Sequence, residues 1–530
     1  MLTRRNESIL WLALLLLAAV VRLAPIAASL PYIDYVDEGY ALHQSIHLLN
    51  QRTLDTAWYG YPSLPAYLTA AALWAWNPVY RNVHGHHFRN DLPAERLAQT
   101  NAGYNYDLIS PPELIVAGRI VAAGLGIATV LLAGALASRL RGRAAGYLAM
   151  AITALCPALV LRASNVIVDT FAAFFAVLAI YFCERIRPNE RRNAIYSAAA
   201  GFTAGLAFAS KYPAGAVFAA VAFVLWKFPV KDLRSRLGLI AGGGLILGIV
   251  LGAPAVVFNW QSVLRDVATT AANYDAMKSS PGYFGQAIGS AELGWLMAIA
   301  GCAGFVLMLR RDATRTAAIS WLVFAIVLLA PFVMRPFQPF RNLLPLVPLI
   351  CVAAAIAFAD LLDLARRGRP KWLWIGGAAA FIAISTATLA FSSVRPVWQR
   401  IVRRDSRTQA IDWLGERVTK RQTVLGITEL AILPAEWKRL GGPVTIVSVA
   451  HAAGLLERQR FDYVVTGEFD LRYAPDPGRA SAALGRLQER LAPFLREAEF
   501  GAGPAFVVPY LWRSNDERIV ILRPAPAKSD

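Results

Sequence analysis

Several charged residues stand alone beside long apolar runs. Asp34, Asp37 and Glu38 follow the first run in PYIDYVDEGYALHQSI, and Asp169 opens a later one in RASNVIVDTFAAFF. Lys211 separates two more in FASKYPAG, and Arg335 and Arg341 lie between another pair in RPFQPFRNLLP. Charge at such places is costly, so isolated cases are functional candidates. Lys and Arg at headgroup depth suit a phosphate, Arg as a planar fork and Lys as a point charge. A carboxylate beside them can take a proton from a hydroxyl or amine nucleophile. Together they suit attack on a carbon whose leaving group is a lipid-linked phosphate, with the cations stabilising the charge that develops on it. Each residue also has a structural reading. Acids favour the first turn of a helix, which would explain Asp37, Glu38 and Asp169. Long basic side chains snorkel to headgroups, which would explain Lys211, Arg335 and Arg341. Their convergence on one membrane face, worked out below, favours chemistry.

Other residues add to the list. His43 and His47 are spaced i,i+4 just after Asp37 and Glu38. Tyr40, His43 and Tyr61 are read as lining the substrate cleft. Tyr32, Tyr35, Tyr40, Trp58, Tyr59 and Tyr61 read mainly as an interfacial aromatic belt, a minority of which would stack on a sugar. The run His84, His86, His87 in HGHHFRND matches no usual zinc spacing and reads as a solvated loop. A divalent metal ion, if used, would be held by Asp37 or Glu38.

The elements that must position these residues are membrane helices. The 530-residue chain is 56% hydrophobic and only 17% charged, with a formal net charge of +18. Mean hydropathy is +0.44. A disordered or soluble cytosolic chain is thus disfavoured. Cys156, Cys183, Cys302 and Cys351 lie in apolar runs and form no CxxC, so neither a disulfide framework nor a zinc site is expected. Runs long enough to span occur at 9–28, 114–138, 144–163, 167–184, 193–209, 212–228, 237–257, 287–308, 315–333, 342–364 and 372–392. Basic clusters such as Arg139/Arg141/Arg143 and Arg310/Arg311/Arg315 fall at every second boundary. By the positive-inside rule the N-terminus is then cytoplasmic and the tail outside. The excess positive charge reports orientation rather than a nucleic-acid partner. Leu64–Trp76 is apolar but short, and counting it as a span would break the charge pattern. It is read as an interfacial or re-entrant helix.

The expected fold class is mainly α. A polytopic bundle of about eleven spans occupies 1–392, with a long first outer loop at 29–113. An extracytoplasmic α/β domain occupies 393–530. In the tail, Asp405–Lys420 has helical periodicity, and Val424–Thr428, Val444–Val449, Tyr463–Thr466 and Ile519–Leu522 are β-rich. A second outer loop covers 258–286.

At this point the chain resembles the GT-C-fold glycosyltransferases, namely the protein O-mannosyltransferases and their bacterial relatives, including the lipid A aminoarabinose transferases. The resemblance is carried by DEGYAL after the first span, YPSLPAYL (Tyr61–Leu68), PPELIVAGRIVAAGLGIATVLL (Pro111–Leu132), RASNVIVDTFAAFF, GLAFASKYPAG (Gly205–Gly215) and RNLLPLVPLI (Arg341–Ile350). It covers about 1–365. Ser63 stands at or beside a usual proline, and 77–113, with its histidines, looks like an insertion. The tail is similar to the extracytoplasmic domain of bacterial members. The resemblance implies transfer of a sugar, with inversion, from a polyprenyl-phosphate donor to an acceptor on the outer face of the cytoplasmic membrane. It implies Asp37 as general base and Glu38 as its support or an ion ligand. Asp169 would position acceptor or base. Lys211 and Arg341 would hold the donor phosphate, with Arg335 a weaker addition. Membrane lipids are the other expected partner. A secondary transporter would show repeated halves and midplane charges, whereas these charges gather at one rim. A scaffold with a partner-binding tail would not explain Asp37, Asp169, Lys211 and Arg341.

Overall fold

The computed structural model describes residues 4–33, 35, 37–91, 112–188, 190–276, 282, 285, 292–335, 338–367, 371–402, 404–427, 430, 432–467, 477–501 and 518–525. Asp34 and most of the expected insertion therefore lie outside the described residues. The chain forms two compact units, Met1–Ile26 with Gln44–Asn82 and Val116–Gln399, and Ala27–His43 with Val83–Ile115 and Arg400–Asp530.

The first unit is helical, and among the described residues the expected apolar runs lie mainly on helix. By length and composition, six described helices can cross a membrane, among them Glu113–Arg141, Lys231–Gly252, Asp312–Val333 and Val347–Ala365. A seventh appears if Arg143–Leu155 and Pro157–Ala163, bent by 57°, form one span. The runs expected at 167–184, 212–228 and 287–308 lie on the shorter apolar helices Val168–Cys183, Tyr212–Trp226 and Trp295–Arg310. The Ala- and Gly-rich helix Asn193–Ser210 carries the run at 193–209. The bend follows from sequence. Pro157 disfavours helical backbone at Cys156, which is extended, and then serves as the first residue of the next helix. Leu64–Trp76 is helical as expected but continues through Pro78 to His84, so the first of the clustered histidines is helical rather than in a loop. The second outer loop also contains a helix, Trp260–Ala276.

Lipid tails are as apolar as Leu, so membrane helices associate by close packing of small residues. The buried faces here are rich in Ala, while Ile9, Leu12, Leu16 and Val20 of the first helix are over half exposed. One close seam joins Asn193–Ser210 to Lys231–Gly252. A Cβ on Gly201 would lie 1.9 Å from the Ala241 oxygen, and one on Gly248 would lie 2.3 Å from the Phe202 oxygen. At the far end of Val347–Ala365, Arg141 pairs with Asp360 at 2.6 Å and with Asp363 at 2.5 Å, and Arg311 meets Asp360 at 2.7 Å. Members of the clusters Arg139/Arg141/Arg143, Arg310/Arg311/Arg315 and Arg366/Arg367/Arg369/Lys371, all expected on the cytoplasmic side, thus gather at one helix end, where Arg366 also pairs with Asp363 at 2.9 Å.

The second unit contains a five-stranded sheet in the order β2-β1-β3-β5-β4. The strands are β1 Val424–Ile427, β2 Val444–Val447, β3 Tyr463–Gly467, β4 Phe494–Phe500 and β5 Ile519–Pro524. β1 pairs in parallel with β2 and β3, and β5 is antiparallel to β3 and β4. The α/β expectation holds, with β4 added. Its sequence FLREAEF is mostly exposed and carries Arg496, Glu497 and Glu499, as suits an edge strand, so it shows no unbroken apolar run. The helix expected at Asp405–Lys420 is Ser406–Arg417, capped by Asp405, whose carboxylate accepts the Arg407 N–H. The same carboxylate receives the Arg407 side chain at 3.0 and 2.9 Å, and both side chains are fully buried. Across this pair lies Tyr32, with the Arg407 guanidinium carbon 3.8 Å from its ring centroid. Burial pushes the Tyr32 phenol up and Arg407 opposes this, so the ring stays neutral under the cation. The segment after the first helix is thereby built into the same unit as the tail.

The glycine seam predicts an asymmetry. Gly201→Ala should destabilise the protein by about 1–3 kcal/mol through overpacking. Gly242→Ala, where a Cβ meets open space, should be neutral or stabilising by about 0.5–1 kcal/mol from helix propensity. Thermal midpoints in detergent check this, and equal effects would contradict the seam.

Candidate active site

Three segments far apart in sequence bring Asp169, Lys211 and Asn342 together in the first unit. The helix Asn193–Ser210 ends on Lys211, which takes extended backbone as its C-cap, and Pro213, which suits the start of a new turn but not a helix interior, follows in the 3-10 turn Tyr212–Ala216. Asp169 is in the first turn of Val168–Cys183. Asn342 sits in the 3-10 turn Phe340–Leu343. Lys211 Nζ donates to Asp169 Oδ1 at 2.5 Å and to Asn342 Oδ1 at 2.8 Å. Exposure is 7% for Lys211, 1% for Asp169 and 2% for Asn342. An ammonium has three donors, and two have acceptors here. Asn342 was not singled out by sequence, because a neutral amide in RNLLPLVPLI gives no charge signal.

Arg341 precedes Asn342 in the same turn and is half-buried. Arg335 donates from Nε to the Pro331 oxygen at 3.2 Å and from Nη1 to the Ala271 oxygen at 2.9 Å. It thus ties the helix Trp260–Ala276 down. The same helix meets the first loop. Asp266 Oδ2 accepts the Tyr59 N–H at 3.0 Å, and the Tyr212 hydroxyl donates to the Tyr59 oxygen at 2.9 Å. Tyr59 donates its own hydroxyl to Asp55 at 2.5 Å and receives Asn259 at 3.2 Å. Burial, then the bond to Asp55, pushes the Tyr59 phenol up to about 12, so it remains a donor. Tyr61 lies edge-on to Trp58 with ring centroids 5.6 Å apart. This network links residue 212, next to Lys211, with both loops.

Asp37, Glu38, Tyr40 and His43 belong to the second unit. Glu38 is fully buried and Asp37 9% exposed, and Glu38 begins the helix Glu38–Gln51. A carboxylate there also interacts favourably with the helix dipole. His84 Nε2 is 3.8 Å from Glu113 Oε1, both partly exposed. Among the described residues no group of three His, Cys, Asp or Glu is placed to hold a metal ion.

Sequence reasoning also missed a second buried pair. Arg162 reaches Glu292 through a fork of 2.6 and 3.2 Å, with both side chains fully buried. Both residues stood inside runs read as spans, where an isolated charge is itself the signal.

The crystal structure of ArnT from Cupriavidus metallidurans bound to undecaprenyl phosphate superposes with a TM-score of 0.56 at 13% identity, covering 99% of each chain. Its apo form gives 0.54, also at 13% identity, covering 97% of this chain and 99% of ArnT. The fold is that of the GT-C glycosyltransferases. The oligosaccharyltransferase of Archaeoglobus fulgidus tethered to an acceptor peptide, at TM-score 0.50 and 11% identity, covers 97% of this chain and 74% of its own. A model of the dolichyl-phosphate-mannose-protein mannosyltransferase family matches residues 96–261, the stretch that holds both Asp169 and Lys211. No curated protein sequence matches. The GT-C fold and its apolar helices make this a multi-pass membrane protein.

Breaking one side of a buried pair costs about 3–5 kcal/mol, whereas replacing both by apolar groups is often neutral. Asp169→Leu and Lys211→Met should each lower the thermal midpoint clearly, and the double variant should recover most of the loss. Additive losses would contradict a direct pair.

Proposed function

We propose that this protein is an inverting glycosyltransferase that takes a sugar from a polyprenyl-phosphate donor and passes it to an acceptor on the outer face of the cytoplasmic membrane. The observation that carries the reading is the buried Lys211 ammonium, held by Asp169 and Asn342, with Lys211 and Asp169 both in the stretch that the mannosyltransferase family model matches. The ArnT structure contains undecaprenyl phosphate, which supports a lipid phosphate as the donor's anionic part. Orientation follows from the basic clusters: the N-terminus is cytoplasmic and the tail outside.

The chemistry is a single displacement. A hydroxyl or amine of the acceptor attacks the anomeric carbon, the bond from that carbon to the phosphate oxygen breaks, and polyprenyl phosphate departs. Asp37 accepts the nucleophile's proton, with Glu38 supporting it. Negative charge grows on the departing oxygen, and the remaining Lys211 donor and the Arg341 guanidinium stabilise it. Asp169 and Asn342 hold the ammonium in place, so little reorganisation is needed when charge develops. Arg335, committed in part to two carbonyls, acts mainly on the loop helix. Tyr40, His43 and Tyr61 are assigned to the substrate cleft. Charges gathered at helix ends, on a transferase fold, disfavour a transporter.

Two variants separate the roles. Asp37→Asn should abolish transfer to endogenous membrane acceptors while leaving undecaprenyl phosphate affinity within about twofold. Arg341→Met should weaken that affinity by about tenfold, equivalent to 1.4 kcal/mol. Full transfer by Asp37→Asn would remove it as the base. Unchanged affinity in Arg341→Met would remove Arg341 from the phosphate site.

A further inference from the structure

Glu292 holds the short helix Pro157–Ala163 at both ends. Its backbone oxygen accepts the Ala158 N–H at 3.0 Å, satisfying a first-turn donor that the helix cannot satisfy itself. The Cys156 Sγ lies 3.8 Å from the same oxygen. Its carboxylate grips Arg162, at the other end, through the fork described above. The connector that follows has little slack. Ser164 Oγ donates to the Leu161 oxygen at 3.1 Å, Asn165 Nδ2 donates to the same oxygen at 3.1 Å, and the Ile167 N–H donates to the Asn165 oxygen at 2.9 Å. The chain then enters Val168–Cys183, whose second residue is Asp169.

A buried ion pair is a weak source of stability, since an apolar pair of similar volume often does as well. What the fork supplies is direction, because two parallel hydrogen bonds fix the rotation of a guanidinium. We infer that Glu292 and Arg162 are positioning residues for the Asp169–Lys211 pair. They fix the helix Pro157–Ala163, and through the connector they set where the Asp169 carboxylate meets the Lys211 ammonium. The inference rests on the donor-site reading proposed above.

The test uses the full-length protein in lipid nanodiscs with undecaprenyl phosphate as the probe, reading both affinity and thermal midpoint. The paired exchange Arg162→Met with Glu292→Met removes the fork but not the volume. It should keep the parental midpoint and lose about tenfold in affinity, the order seen when groups that orient a ligand-binding side chain are removed. Combined with Lys211→Met, the same exchange should add little to the loss caused by Lys211→Met alone. Parental affinity in the folded paired variant, or a full additional loss on top of Lys211→Met, overturns the positioning role. If Lys211→Met binds like the parent, the donor-site reading falls and takes this role with it, whereas a loss confined to Lys211→Met strikes only the positioning role. Glu292→Asp keeps the charge and shortens the arm, so it serves if the paired variant does not fold. It should also weaken binding, and parental affinity there counts against the inference.

Discussion

A lysine ammonium buried in an apolar helix bundle constrains everything around it. Desolvating it costs several kcal/mol, and only well-placed partners offset that. Asp169 supplies the countercharge and Asn342 a second acceptor. Each comes from a different helix boundary, so the ends of Val168–Cys183 and Asn193–Ser210 and the turn Phe340–Leu343 must keep a common height. The short helix Pro157–Ala163, the glycine seam and the 3-10 turn all serve that requirement. Two of Lys211's three donors are committed to the protein, and this makes it a fixed positive point rather than a mobile arm.

How far the sequence could be read follows from which signals are local. Long apolar runs and clustered arginines are local, and they located the helices and the Arg141, Arg311 and Arg366 end. Isolated charges at run boundaries are also local, and they located Asp169, Lys211 and Arg341. The partner of a charge is not local. Asn342 carries no charge, and its role depends on meeting a residue more than a hundred positions earlier. Arg162 and Glu292 were hidden differently, because each sat in a run counted as a span and was averaged away by its apolar neighbours. In the tail, β1, β2, β3 and β5 showed apolar β-rich runs, while the exposed, charged edge strand β4 did not.

The bundle also shows how such a fold is packed without a hydrophobic drive between helices. Ala and Gly line the closest contacts, while aliphatic side chains such as Ile9, Leu12, Leu239 and Ile246 face outward. Where Gly201 meets the Ala241 backbone, no side chain intervenes. Close backbones hold the helix ends in register, and that register is what the buried Asp169–Lys211 pair needs. Packing and electrostatics are therefore not separable contributions in this unit.

The stacking of Tyr32 on Arg407 bears on how the protein is made. The two residues are 375 positions apart in sequence, yet they share one compact unit and a cation–π contact. A ribosome adds about 5–20 residues per second, so Tyr32 is synthesised tens of seconds before its partner exists. During that interval the segment after the first helix must wait, uncovered, while the intervening helices are inserted. The second unit can close only once Arg407 has been made, so its tail residues complete a unit that the segment after the first helix began.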